Sequence, residues 1–240
     1  NIILPLLSTS NKCGGHYLIN SKKEISYYTK KKNIFPQYYQ NAFKINYDIN
    51  DFYKINNLND ITLICPIQAL RYIDKWININ NFETNKIVTL TLRYQDLEKV
   101  RNSNLDEWYK FAEYLQSVGY LPIIIPDTET CWFLKKKFKK FHVFTEPCWN
   151  LLLRMAIYEK SYVNYFVPNG PEMLATLNVK TSYIMINLVP VKGSKVNTED
   201  ALKIFNKSDY KFSTKYQKLI FKKDSFENLV KSFIDFKSIK

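Results

Sequence analysis

Three clusters in this chain have the residue types and spacing to hold a negatively charged ligand. The first is Arg93 followed at short range by Arg101, Asn102 and Ser103, just ahead of a helix expected from Leu105. Arginine presents a planar fork of donors matched to phosphate or carboxylate, and a helix N-terminus adds a positive dipole end. Asn104 is the expected N-cap of that helix. The second cluster is Pro126-Asp127-Thr128-Glu129-Thr130. Asp127 and Glu129 could hold a ribose or a metal there, while capping of the next helix explains the same residue types. The third is Val167-Pro168-Asn169-Gly170-Pro171-Glu172, where Gly170 permits close backbone approach and Pro171 suits a first helical turn. Its amides would cradle a diphosphate; a plain turn accounts for it equally. Outside these clusters, His16 follows Cys13-Gly14-Gly15 and is a candidate general base, since imidazole titrates near neutrality, or else a structural histidine.

All three clusters follow apolar, β-rich runs, which is where ligands bind in parallel α/β sheets. Strands are expected at Ile87–Leu92, Leu121–Ile125, Phe141–Phe144, Tyr162–Val167, Ser182–Leu188 and Gln217–Phe221. Helices are expected between them at Leu105–Val118, ended by Gly119, and at Thr130–Lys140, Trp149–Glu159 and Pro171–Leu177. Ser225–Phe236 closes the chain, and a short helix at Thr198–Phe205 interrupts a polar stretch. Alternation of this kind builds βαβ units on a parallel sheet. Upstream, Ile2–Leu7 and Ile61–Cys65 read as strands and Pro66–Ile77 as a helix. The fold class is therefore α/β, a Rossmann-like parallel sheet flanked by helices. Residues 86–240 form the ligand-binding domain, and residues 1–85 a partial N-terminal α/β region.

The run Thr89-Leu90-Thr91-Leu92-Arg93, then Arg101-Asn102-Ser103, Trp108 to Ala112 and Gly119 to Asp127 resembles the donor-binding half of GT-B-fold glycosyltransferases. The nearest flavour is bacterial enzymes with fucosyltransferase-like or heptosyltransferase-like C-terminal domains. Arg154 to Glu159, then Asn169-Gly170-Pro171 and Leu174-Ala175, is similar to the helix and loop that family places beneath the nucleotide diphosphate. The resemblance covers roughly residues 86 to 236. It implies transfer of a sugar from a nucleotide-activated donor to a glycan or lipid-linked acceptor in surface polysaccharide assembly, without a metal or cofactor. Arg93, Arg101, Asn102, Ser103, Arg154, Asn169 and Gly170 would then serve the diphosphate, and Asp127, Glu129 and Glu172 the nucleoside. Arg93 would also act in catalysis, with His16 as base. Fewer than 90 residues precede Lys86, so the acceptor half is expected to be reduced, truncated or atypical. The first residue is Asn1 rather than Met, and the chain is expected to be a fragment.

Composition sets the remaining bounds. No apolar run reaches the length of roughly 18 residues that a spanning helix needs, and Ile2–Leu7 is too short for a signal peptide. A cytoplasmic location is expected. Cys13, Cys65, Cys131 and Cys148 are scattered without CxxC spacing, as free thiols in a reducing compartment would be. A net charge of +13 admits nucleic acid, an anionic membrane face or a phosphorylated ligand. Most of the excess is lysine, so Arg71, Arg93, Arg101 and Arg154 come first as ligand candidates. Nucleic-acid binding is the non-enzymatic rival, weakened by aromatics at core-like periodicity and by the lack of a basic recognition helix. A sugar-nucleotide epimerase or polysaccharide pyruvyl transferase is the enzymatic rival, sharing the same anion loops. Residues 132–141 set Phe133, Leu134, Phe138 and Phe141 against five lysines. Such a helix either faces a core with its lysines solvated or lies at the inner face of an anionic membrane.

Overall fold

The runs that alternate most regularly in the sequence become a single sheet because the central ones, Ile87–Thr91, Leu121–Ile125 and Val163–Phe166, are mostly apolar and are covered on both sides. In the computed structural model, which describes residues 3–10, 13, 21, 62–194, 198, 199, 202 and 208–240, these strands are Ile87–Thr91 (β1), Leu121–Ile125 (β2), His142–Val143 (β3), Val163–Phe166 (β4), Tyr183–Met185 (β5) and Gln217–Leu219 (β6). All neighbours are parallel, in the order β3-β2-β1-β4-β5-β6. The helices are α1 (Ile3–Leu7), α2 (Ile67–Ile79), α3 (Leu105–Ser117), α4 (Cys131–Lys137), α5 (Leu151–Lys160), α6 (Met173–Thr176) and α7 (Phe226–Ile239).

Successive strand residues point to opposite faces, so the sheet divides the interior into two cores. Val88, Leu90, Ile124, Tyr165 and Ile184 meet Trp108, Phe111 and Leu115 of α3, Leu134 of α4 and Phe233 of α7. Ile87, Ile123, Ile125, Phe166 and Met185 meet Met155 and Ile157 of α5 and Leu174 of α6. Ile73 and Ile77 of α2 belong to this second core too, so α2, upstream of residue 86, packs with the sheet.

Two upstream expectations are corrected. Ile2–Leu7, read as a strand, contributes helix α1, and Ile61–Cys65 contributes only an isolated antiparallel bridge between Leu63 and Ser10. A short continuous apolar run satisfies the helical and the extended period alike, so it carries no choice between them. The helix expected at residues 198–205 and the turn carrying His16 lie largely or wholly outside the described residues. Gly119 ends α3 at φ +83°, in the left-handed region where a Cβ is costly.

A latch at the start of α3 holds the site-bearing loop in place. Asn104, expected to cap α3 with its own side chain, makes no such bond. Instead Asp224, from the turn before α7, accepts from the Asn104 amide (2.9 Å) and from Trp108 Nε1 (2.7 Å). Glu107 of α3 accepts in return from the Phe226 amide at 2.8 Å. Asp224 is buried. Asp224→Ala should therefore strand two donors and lower stability by about 3 kcal/mol, read as a lower urea midpoint at unchanged slope. A change under about 0.5 kcal/mol would remove the latch from this account.

Candidate functional site

The strand order reverses between β1 and β4: successive crossovers lead one way to β2 and β3 and the other way to β5 and β6. A crevice opens at the carboxyl ends of the strands wherever neighbouring crossovers diverge in this manner. Here it is a cleft of about 200 Å³ lined by the end of β1, the loop that follows it, Asp127 and Thr128 after β2, Arg154 of α5, and Asn169 to Pro171 after β4. The topology thus draws residues from all three sequence clusters to one place.

The floor is built first. Thr91, the last residue of β1, shares a 2.8 Å hydrogen bond with the buried Tyr158 hydroxyl of α5. Asn164 of β4 accepts from Thr89 Oγ1 (2.5 Å) and donates to the Tyr158 and Ser182 carbonyls. These bonds fix α5, and with it Arg154, against the middle of the sheet.

The loop from Leu92 to Asn104 is wound around Arg93. Its guanidinium donates to the Glu98 carbonyl (3.1 Å), the Leu97 carbonyl (2.7 Å) and Asn102 Oδ1 (2.5 Å). The Arg93 amide donates to Ser103 Oγ (3.0 Å), and Asn102 closes the ring by donating to the Gln95 carbonyl (2.9 Å). Asn102 and Ser103, expected as diphosphate ligands, are instead internal staples of this loop and do not line the cleft. Arg93 lines it but is only 3% exposed and has its donors taken up by its own loop. Burial, and then the neighbouring Arg101 cation, hold its pKa below the ordinary arginine value, against Asp127 and Glu98, which raise it.

Arg101 and Arg154 face the ligand space differently. Arg101 is paired with Glu98 (2.8 Å) and donates to the Pro168 carbonyl (3.1 Å), while its Nε is buried without a partner. Arg154 commits Nε to the Pro147 carbonyl (2.8 Å) and sets its head beside the Tyr158 hydroxyl at the cleft. Asn169 donates to the Val167 carbonyl and accepts from the Glu172 amide at 3.1 Å, which shapes the turn into α6. Gly170 does not have positive φ, and a Cβ there would meet nothing within 4 Å. The chain itself therefore does not require a glycine at that position.

Asp127 lines the cleft and accepts from the Tyr94 amide at 3.4 Å. Glu129 is exposed and not part of the lining, so it is not brought to the site. Glu172 lies behind the lining, 8% exposed, with Oε2 buried and unpartnered. Burial pushes its carboxyl up to about 8, although its own amide, Asn169, Arg101 and Arg154 pull the other way. Arg71 sits exposed on α2 and does not line the cleft. Among the described residues no group of three metal-ligating side chains occurs.

This architecture has a solved counterpart. A glycosyl transferase family 9 structure from Veillonella parvula superposes with a TM-score of 0.56 at 8% identity, over 76% of this chain and 55% of that one. The two chains share a fold. The present chain thus spans about half the length of that structure. No family model matches the sequence. No curated protein matches it either.

Gln95, Leu97 and Glu98 carried no signal in the sequence as cleft residues. They belong to the lining only because the loop folds back on Arg93, and Glu98 takes φ 50° to do so. Thr128 lines the cleft while donating to the Cys148 carbonyl at 2.9 Å, which ties the loop after β2 to the segment before α5. A non-glycine residue in the left-handed region is uncommon and costs strain, which here is offset by the bonds Arg93 makes to Leu97 and Glu98.

Proposed function

We propose that the cleft binds the diphosphate of a nucleotide-activated sugar and that the chain is the donor-binding part of a glycosyltransferase of the metal-independent GT-B type. One observation carries this reading. Arg101, Arg154 and the Gly170 backbone converge on the crevice where the strand order reverses. In sugar transfer the acceptor oxygen bonds to the anomeric carbon as the bond from that carbon to the diphosphate oxygen breaks. The electron pair leaves on the diphosphate, and the acceptor proton passes to a base. Guanidinium groups already positioned at the departing diphosphate stabilise the charge that develops there without reorganising. Asp127 takes the ribose hydroxyls and Arg93 keeps the loop in register. His16 remains the candidate base, and a glycan or lipid-linked molecule the acceptor.

Thermal-shift measurements with a panel of nucleotides and nucleotide sugars test the reading directly, because a ligand at a hundred times its Kd adds about 2.7 kcal/mol to stability. Stabilisation by nucleoside diphosphates and not by nucleosides is the expected result. A flat panel would reject the assignment.

Gly170 gives a sharper test. Its conformation tolerates a side chain and nothing crowds the position, so Gly170→Val should leave the melting temperature within a degree or so, given that strain-free surface changes stay near 0.5 kcal/mol. If its backbone approaches a phosphate, the same variant should weaken nucleoside diphosphate binding by at least about tenfold, an effect on the scale of one lost charge-assisted hydrogen bond. Unchanged affinity in a stable variant would reduce Asn169-Gly170-Pro171 to a turn.

A further inference from the structure

Helix α4 divides its residues between two sides. Leu134, Phe138 and Phe141 are buried in the core beneath α3, as a core-facing helix requires. On that same side Lys137 pairs with Asp106 (2.8 Å) and Lys140 with Glu113 (2.6 Å), both acids of α3. The outward side is different. Trp132 is 67% exposed and Phe133 49%, and Trp149, from the turn before α5, is 57% exposed. Trp132 and Trp149 lie with ring centroids 6.2 Å apart, and Phe133 stacks on Tyr94 at 5.4 Å. Lys135, Lys136 and Lys139 are exposed and have no acidic partner among the described residues, and Lys135 rests over the Trp132 ring at 5.5 Å.

We infer that this face docks on an anionic lipid bilayer. Exposed tryptophans beside unpaired lysines match the depth profile of a membrane surface, where amphipathic rings sit at headgroup level and cations meet anionic lipid. Charge complementarity favours lipid over a neutral partner, because the inward lysines are neutralised by α3 while the outward ones are left to an external anion. Glu129 and Glu146, close in sequence to Trp132 and Trp149, are exposed too. No described helix is long and apolar enough to cross a membrane. The inference does not rest on sugar transfer and would hold for any activity of the cleft.

Co-sedimentation of the 240-residue chain with vesicles tests it. Binding is expected to vesicles of equal parts phosphatidylglycerol and phosphatidylcholine, with a blue shift of tryptophan emission, and not to vesicles of phosphatidylcholine alone. Lys135→Gln/Lys136→Gln/Lys139→Gln should reduce partitioning on the order of a hundredfold, at about tenfold or less per lysine near the surface. Trp132→Ala/Trp149→Ala should also reduce it and should abolish the residual blue shift. All the substituted side chains are solvent-exposed, so equal melting temperatures will certify folding. Absence of binding to the anionic vesicles, or equal binding by the lysine variant, would overturn the proposal. So would self-association of the wild type that is lost in the tryptophan variant, which would assign the face to a second copy of the chain. Nucleotide binding measured on the same variants stays at the wild-type value if only the lipid contact is lost, which keeps this test separate from that of the cleft.

Discussion

Replacing Arg101 and Arg154 together with alanine should abolish detectable nucleoside diphosphate binding. Each guanidinium reaches the cleft from a different element, Arg101 from the loop after β1 and Arg154 from α5. A charge-assisted hydrogen bond to phosphate contributes about 1.5 to 3 kcal/mol, so each single variant should lose roughly ten- to hundredfold in affinity and the double variant roughly the product. The two changes should differ in stability. Arg101→Ala removes a buried Nε that has no partner and breaks the ion pair with Glu98, whereas Arg154→Ala leaves the Pro147 carbonyl without its donor. Isothermal titration with a nucleoside diphosphate, beside urea melts of the three variants, separates these effects. Retention of full affinity by the double variant would dismiss the cleft as an anion site. Lysine at either position should rescue little, because a point charge does not reproduce the fork.

The second large effect is a pH dependence set by Glu172. Its carboxyl is pushed up to about 8 from an ordinary value of 4.5, with burial as the first cause. Between those two values the folded chain binds a proton that the unfolded chain has released. Stability must then fall as pH rises through that window, by at most about 1.4 kcal/mol per pH unit. Glu172→Gln imitates the protonated form, so it should flatten the profile and be the more stable protein at pH 8 and above. Ligand affinity should move in the same sense. A neutral Glu172 adds no negative charge behind Arg101 and Arg154, and its ionisation at alkaline pH would oppose an incoming anion. Urea melts of wild type and Glu172→Gln at pH 5, 7 and 9 decide the matter, and parallel profiles for the two would refute the assignment of a buried proton to this residue.

How much of this was legible beforehand follows from what each signal depends on. The sheet was legible because its central strands are mostly apolar, β-rich runs, a pattern that parallel strands covered on both faces impose and exposed segments do not sustain. The helices were legible where an apolar stripe recurs at helical spacing, as at Leu105, Trp108, Phe111, Ala112 and Leu115, all of which are buried. The same rule misread Ile2–Leu7, which is too short for period to discriminate. At the site, residue types pointed to three loops that the fold brings to one cleft, which Arg101, Arg154, Asn169, Gly170 and Asp127 line.

Residue type alone did not separate ligand contacts from the framework that holds them. Arg93, Asn102 and Ser103 have the chemistry of phosphate ligands, yet their hydrogen bonds close a loop on itself, and only folded geometry shows which donors are already taken. The carboxylate that anchors the start of α3 came from Asp224, more than a hundred positions away, and no local pattern encodes such a partner. Glu172 reads in sequence as one more carboxylate after a proline, and its proton affinity comes from burial, a tertiary property. The aromatic runs likewise specified that α4 needed a core. Packing against α3 then determined that Leu134 and Phe138 would fill it, and that Trp132 and Phe133 would stay outside. Sequence thus determined the elements, because their periods are local. Tertiary structure decided the division of labour within the site, because that depends on which polar groups find partners and which are left facing the cleft.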